Sequence, residues 1–293
     1  MTLKVKILIF GESGQLAQEF KRVHIAVPVL QLGRSKVDFL NPATIRRAID
    51  EARPTHIINT AAYTLVDQAE EHRDLALQVN AEALSVIGES AKALGAFVFH
   101  FSTDYVFDGE KTTPYVETDL TNPINEYGYS KLMGELALLN SGCKQITLRI
   151  SWVYSQFGQN FVKTILKRAE SNKILKIVCD QVGVPTSASD VAESVVKLIF
   201  DRQLNDKSGL YHMAGTGPVT WHKYAEKIIE FAKEDPAKFS LITESLLPVS
   251  SQEYMTAAKR PKNSVLSSSK LKNTFGISLP PWEESLKEVL KSL

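Results

Sequence analysis

Six short apolar runs, VKILIF (5–10), PVLQLG (28–33), HIINTA (56–61), FVFHFS (97–102), QITLRIS (145–151) and LKIVCD (175–180), recur along the chain with helical patterns between them. Runs that are apolar on both faces suit strands buried on both sides of a parallel sheet. The intervening segments carry helix signals. Over 41–52, Asn41 stands at the N-cap with Pro42 at the first helical position, and 74–94 forms a second helical stretch. Strands alternating with helices, joined by right-handed crossovers, leave few topologies, so the expected fold class is α/β with a doubly wound parallel sheet. At 293 residues the chain can bury a sizeable core. Beyond about 181 the pattern loosens, and Pro185, Gly215, Gly217, Pro218, Pro248, Pro261, Pro280 and Pro281 punctuate shorter helices. The expected organisation is a dinucleotide-binding domain mainly over 1–180 and a smaller substrate-binding lobe mainly over 181–293, with some chain crossing back to the sheet. That lobe would cover the carboxyl ends of the strands, where open α/β sheets bind ligands.

The charge balance excludes several partner classes. A net charge of +1 gives no bulk electrostatic reason to expect nucleic acid or an anionic membrane surface. No run approaches the roughly 20 apolar residues of a membrane span. The first residues pass from a short apolar run into glycines without an h-region or cleavage site. Cys143 and Cys179 show neither CxxC nor Cys/His spacing. The expectation is a cytoplasmic, reduced protein with no membrane, nucleic-acid or zinc partner.

The first run leads straight into FGESGQLAQEF, which places Gly11, Gly14 and Ala17 at G-x-x-G-x-x-A spacing where a strand gives way to a helix. Such a turn brings helix N-terminal amides close to a pyrophosphate, as in Rossmann-like folds. Taken alone, the motif is also compatible with an ordinary strand-to-helix turn. A carboxylate after the second strand would bind a ribose 2′-hydroxyl, and an arginine would accept a 2′-phosphate. Here Gly33-Arg34-Ser35-Lys36 follows that strand and no acid occurs until Asp38. Arg34 therefore favours NADPH, with NADH as the second option.

In EYGYSK, Tyr127 precedes Lys131 by four residues, and of the nine tyrosines it alone has a lysine at that distance. On a helix the two share one face, and a nearby cation lowers a phenol pKa that starts near about 10. The expectation is a tyrosine general acid. The run FSTDYVFDG leaves the fourth strand with Ser102, Thr103, Asp104 and Tyr105 at its carboxyl end, where a hydroxyl could bind both a carbonyl oxygen and the Tyr127 phenol. His100 reads as a hydrogen-bonded core residue and His222 as a packing or capping residue. Neither belongs to a Ser/His/Asp set or to metal spacing.

With these motifs the chain resembles the extended short-chain dehydrogenase/reductases, and more narrowly the dTDP-4-dehydrorhamnose reductase family. The similarity extends through NTAAYTLVDQAE, YVETDLTNPINEYGYSKLMGE, RISWVY, DQVGVPTSASDVA and KRPKNSVLSSSKL, in the family's order. The resemblance implies NAD(P)H-dependent reduction of the 4-keto group of dTDP-4-dehydro-L-rhamnose, the last step toward dTDP-L-rhamnose. It implies Tyr127, Lys131 and Thr103 as catalytic residues. Gly11, Ser13, Gly14, Gln15 and Leu16 would lie along the pyrophosphate, Arg34, Asp38 and Phe39 near the adenosine, and Ala61, Ala62 and Tyr63 against the cofactor. Asp104, Tyr105 and Trp152 would face the sugar, and Asn160, Gln181 and Arg260 would meet the nucleotide diphosphate. Trp152 as plain core packing, Asp104 as a turn residue and the last three as solvated surface remain the alternatives. No protein-bound catalytic metal is expected, although the family leaves open a structural divalent ion such as Mg²⁺, and it allows a homodimer. Two rival readings stand. One is a non-catalytic subunit resembling the regulatory subunit of methionine adenosyltransferase; the other is a reductase or epimerase of another nucleotide sugar.

Overall fold

The computed structural model describes residues 5–293. Its strands β1 (Ile7–Phe10), β2 (Val29–Leu32), β3 (His56–Asn59), β4 (Phe97–Thr103) and β5 (Gln145–Ile150) join Gly209–His212 in one six-stranded sheet. Every pairing in it is parallel, in the order Gly209–His212, β5, β4, β3, β1, β2. The helices are α1 (Gln15–Arg22), α2 (Pro42–Ala52), α3 (Val66–Ala69), α4 (Arg73–Leu77), α5 (Ala83–Leu94), α6 (Glu126–Ser141), α7 (Phe161–Ala169), α8 (Ala188–Ile199), α9 (Trp221–Ala232), α10 (Ser269–Phe275) and α11 (Trp282–Ser292). A single π-helical turn, Gln78–Glu82, joins α4 to α5. No helix is long and apolar enough to cross a membrane among the described residues.

Strands β1, β4 and β5 are buried throughout because both sheet faces are covered, whereas β2, at the sheet edge, has Val29 and Leu30 exposed, contrary to the expectation for its run. Successive β1 residues alternate between two cores: Ile7 and Ile9 pack with Phe99, Val191 and Val195, while Leu8 and Phe10 pack with Ile45, Ile49 and Leu84. Each such fully buried side chain contributes about 1.5–3 kcal/mol. The predicted start of α2 holds, since Asn41 Oδ1 accepts from Ala43 N at 3.2 Å ahead of Pro42.

The run at 175–180 departs from expectation. It forms Ile174–Val178, which pairs with Ser245–Val249 in a separate two-stranded sheet, and alternate residues Ile174 and Lys176 are exposed. A lysine in mid-run leaves only one apolar face, which suits a half-covered strand rather than a central one. The sixth strand of the main sheet is Gly209–His212, and α8 packs on α1 to bring Val191, Val195 and Leu198 over the sheet. The smaller lobe gathers Tyr154, Val162 and Ile165 with Tyr224, Ile228 and Leu286. Both cores thus draw residues from either side of position 180.

Strand order reverses between β1 and β3, so the loops leaving these strands diverge at their carboxyl ends and open a crevice. The glycine turn and the segment 60–63 stand on its two sides.

Candidate active site

Gly11 leaves β1 with φ +106°, a conformation that favours glycine. A Cβ there would also run into the Thr60 hydroxyl, which donates to Phe10 O at 2.6 Å. The chain then enters α1 through Gly14, whose extended backbone supplies no side-chain cap, and the first turn holds no acidic residue. A Cβ on Gly14 would meet nothing within 4 Å. Uncapped helix amides beside open space form a cradle that fits a pyrophosphate. Ser13 is exposed there, Gln15 is half-buried, and Leu16 turns into the sheet core. After β3, Ala61, Ala62 and Tyr63 are half-buried, and Asn80 brackets Tyr63 by accepting from its N–H at 2.8 Å and donating to its carbonyl at 3.0 Å. After β2, Arg34 is exposed. Asp38 accepts from Leu40 N within its own turn, and Phe39 stands edge-on to Phe10 at 5.6 Å.

Helix α6 begins at a strong cap. Asn125 Oδ1 accepts from Gly128 N at 2.7 Å, and its amide donates to Lys259 O at 2.8 Å, tying the helix start to the loop that carries Arg260. A Cβ on Gly128 would collide with Tyr105 O, so this glycine lets the helix approach the end of β4. Tyr127 and Lys131 follow one turn apart on one face. Lys131 is 2% exposed, donates to Phe101 O at 2.7 Å, and lies 3.4 Å from His100 Nε2. At the end of β4, Thr103 Oγ1 donates to Asp104 Oδ1 at 3.0 Å and accepts from Tyr105 N at 3.2 Å. The Tyr105 ring meets the Tyr127 ring edge-on at 6.0 Å. Thr103, Tyr105, Tyr127 and Lys131 are thus brought together as expected.

The electrostatics differ from expectation in one respect. Burial pushes the Tyr127 phenol up to about 12, with the Thr103 hydroxyl pulling the other way, so it is not lowered. Burial also brings Lys131 down to about 8, opposed by Glu135. An interior that penalises the charged form of each group dominates both shifts, and the Asp104 carboxylate pushes the phenol further up. Asp104 is raised to about 7 by burial, against the Ser264 and Thr103 hydroxyls beside it. Its Oδ2 and the buried Ser102 Oγ have no hydrogen-bond partner among the described residues. Behind Lys131, Glu135 accepts from Arg149 Nε at 2.9 Å and Nη2 at 2.7 Å in a buried bidentate pair.

A cleft of about 1500 Å³ runs between Lys111, Gln181, Tyr254 and Arg260. A chamber of about 310 Å³ lies against Phe161, Gln181, Trp221, Tyr254 and Arg260. Tyr127 and Thr103 line neither space; Tyr105 connects them to it through Arg260, whose charge acts on the Tyr105 phenol. Gln181 and Arg260 line both spaces. Arg260 is nonetheless engaged, with Nη1 3.1 Å from Asp67 Oδ1 and Nη2 2.8 Å from Oδ2.

Two of the residues expected to meet the ligand have protein partners. Asn160 caps α7, accepting from Lys163 N at 3.1 Å, and its amide donates to Gln15 Oε1 at 3.0 Å and Ser155 O at 2.7 Å. Its polar atoms are spent on braces, one of which steadies the glycine turn. Trp152, with φ +45°, stacks on Trp221 at 3.3 Å between ring centroids and lies against Gly183. This contact matches the packing alternative for Trp152, and Trp221 presents an aromatic surface to the chamber. Asn80, Asn125, Asp67 and Trp221 were not anticipated. Only Asn125 carried a local signal, as a capping residue ahead of a helix. Among the described residues no group of three or more His, Cys, Asp or Glu side chains is placed to hold a metal ion.

Residues 5–293 match the family model described as RmlD substrate binding domain. The chain is 38% identical to the dTDP-4-dehydrorhamnose reductase of Burkholderia thailandensis over 99% of both proteins. It is 40% identical to that of Sinorhizobium fredii over 99% of this chain and 98% of the relative. The crystal structure of dTDP-4-dehydrorhamnose reductase from Bacillus anthracis in complex with NADP superposes with a TM-score of 0.91 at 33% identity, covering 99% of this chain and 100% of that one. The UDP-glucose 4-epimerase of Thermus thermophilus, at 19% identity and a TM-score of 0.78, shares the fold. With the glycine turn, the strand-four hydroxyls and the tyrosine–lysine helix all set on one sheet edge, and with the match running from end to end, the chain belongs to the RmlD substrate binding domain family.

Proposed function

We propose that the protein reduces the C4 keto group of dTDP-4-dehydro-L-rhamnose to give dTDP-L-rhamnose, with NADPH as reductant. The observation that carries this reading is the grouping of Thr103, Tyr127 and Lys131 at the carboxyl edge of the sheet, beside the uncapped start of α1, in a chain similar over its whole length to reductases of that name. The non-catalytic reading is not favoured by relatives that match from end to end.

Gly11, Gly14 and the first turn of α1 would hold the pyrophosphate, Arg34 would meet a 2′-phosphate, and Lys131 would contact the ribose. NADPH, when bound, supplies the hydride. Ketone reduction also needs one proton at the oxygen, and Tyr127 is suited to provide it. A phenol pushed up to about 12 stays protonated at neutral pH, so the group holds the proton it must donate. Thr103 Oγ would hydrogen-bond the same oxygen, fixing it against the phenol, while the Lys131 ammonium steadies the phenolate left behind. Gln181, Tyr105 and Arg260 would line the path of the nucleotide diphosphate, with Arg260 exchanging Asp67 for phosphate oxygens.

The test is loss of NADPH absorbance when purified protein meets dTDP-4-dehydro-L-rhamnose, with Tyr127→Phe alongside. Wild-type decay with none in the variant, which still binds NADPH, is expected. Full turnover by Tyr127→Phe would remove the tyrosine from the mechanism, and absence of wild-type decay would remove this substrate.

A further inference from the structure

Beneath the carboxyl edge of the sheet, a row of polar contacts runs from the loop after β3 to Lys131. Asn59 and His100 are cross-strand neighbours on β3 and β4, each 1% exposed. Ala61 N donates to Asn59 Oδ1 at 3.2 Å, Asn59 Nδ2 lies 3.3 Å from His100 Nδ1, and His100 Nε2 lies 3.4 Å from Lys131 Nζ. Burial, reinforced by the charge of Lys131, opposes a charged His100.

A neutral imidazole has one donor and one acceptor, and its partners decide which nitrogen is which. With Asn59 Oδ1 taken by Ala61, the amide NH₂ meets Nδ1, so Nδ1 accepts and the ring proton sits on Nε2, beside Lys131. That arrangement suits an amine at Nζ and opposes an ammonium. An ammonium requires Nε2 as acceptor. The ring proton then sits on Nδ1, and Asn59 must turn its oxygen toward the ring and give up the Ala61 N–H.

We propose that Asn59 and His100 are positioning residues that couple the proton on Lys131 to the backbone amide of the loop after β3. The inference rests on the reductase reading for the role of Lys131. The other ionisable groups around this lysine are Tyr127 and Glu135 on α6, Arg149 of β5 paired to Glu135, and Asp104 beyond β4. Among these, Glu135 favours the ammonium. None of them is hydrogen-bonded to Nζ; Phe101 O and His100 Nε2 are its partners among the described residues.

Asn59→Asp preserves size and the acceptor for Ala61 N–H and replaces the amide donor facing His100 with a second acceptor, so that, ionised, it has no donor. It therefore holds the His100 proton on Nδ1 and offers Nε2 to a charged lysine. The alkaline limb of kcat/KM against pH should move upward by about one unit, and the move should vanish in Asn59→Asp/His100→Phe. Independently of turnover, ¹⁵N NMR of histidine-labelled wild type should show His100 exchanging its ring proton from Nδ1 to Nε2 between about pH 6 and about pH 10, while Asn59→Asp keeps Nδ1–H throughout. An unmoved limb in Asn59→Asp, a shift that survives without His100, or a wild-type tautomer constant over that range would each overturn the coupling. The expected tautomer exchange without any turnover of the keto sugar would support the coupling while refuting the reductase reading.

Discussion

Asp104→Asn isolates the cost of a buried carboxylate at the candidate site. Asp104 is 3% exposed, and burial raises it from 3.8 to about 7. One oxygen accepts from Thr103, and the other has no hydrogen-bond partner among the described residues. The sign follows from proton binding. The folded carboxyl keeps its proton to about pH 7, while the unfolded one loses it near 3.8, so across that window the folded state binds more protons and stability falls as pH rises. The fall is complete above the folded value. At about 1.4 kcal/mol per unit, roughly three units correspond to about 4 kcal/mol, of which about 2 kcal/mol accrues between pH 5 and pH 7, where the folded carboxyl is only half ionised.

The amide in Asp104→Asn has the same shape, can still accept from Thr103 and does not titrate. Thermal unfolding of both proteins, followed by circular dichroism from pH 5 to pH 8, compares them with every other titrating group held in common. A chain of this size shifts by about 2 °C per kcal/mol. The variant's advantage in Tm should therefore grow by about 4–5 °C between pH 5 and pH 7 and level off by about pH 8. A difference that is flat across the range would show that Asp104 ionises at its ordinary value, and the buried-carboxyl description of the site would fall.

Gly11→Ala combines φ +106° with a collision at the Thr60 hydroxyl, so chemical denaturation should show a loss of at least about 2 kcal/mol, with weaker NADPH binding. Arg34→Glu should raise the NADPH Kd by about tenfold or more and leave NADH nearly unaffected, as read by fluorescence titration; equal effects on both cofactors would exclude a 2′-phosphate role. Glu135→Gln leaves the Arg149 guanidinium buried without its counter-charge and should cost about 3–5 kcal/mol in urea unfolding, whereas Glu135→Leu/Arg149→Met should recover much of that loss.

What could be read from the sequence was chemistry confined to one element. The turn at Gly11 and Gly14 and the pair Tyr127 and Lys131 are each fixed by the geometry of a single strand end or a single helical turn, so spacing alone locates them. The alternation of apolar runs gave the fold class for the same reason, and it failed at 175–180. There an apolar run with one lysine belongs to a two-stranded pair, because periodicity does not record how many layers cover a strand. The remaining differences concern properties set by distant partners. Nothing near Trp152 in sequence reveals Trp221, which stacks on it from across the smaller lobe. Arg260 was read as ready for phosphate, though Asp67 of α3 already holds it. The direction of the Tyr127 shift was misjudged because a neighbouring lysine is visible in the sequence and the depth of the cavity is not. The same logic separates the groups that would transfer protons from those that hold them in place. Tyr127 and Lys131 lie one helical turn apart, but Asn80 reaches Ser130, His100 reaches Lys131, and Arg149 reaches Glu135 only because the parallel sheet and α6 bring their segments together. Local spacing therefore singles out candidate reactive groups, whereas the residues packed against them become visible only once the chain is folded.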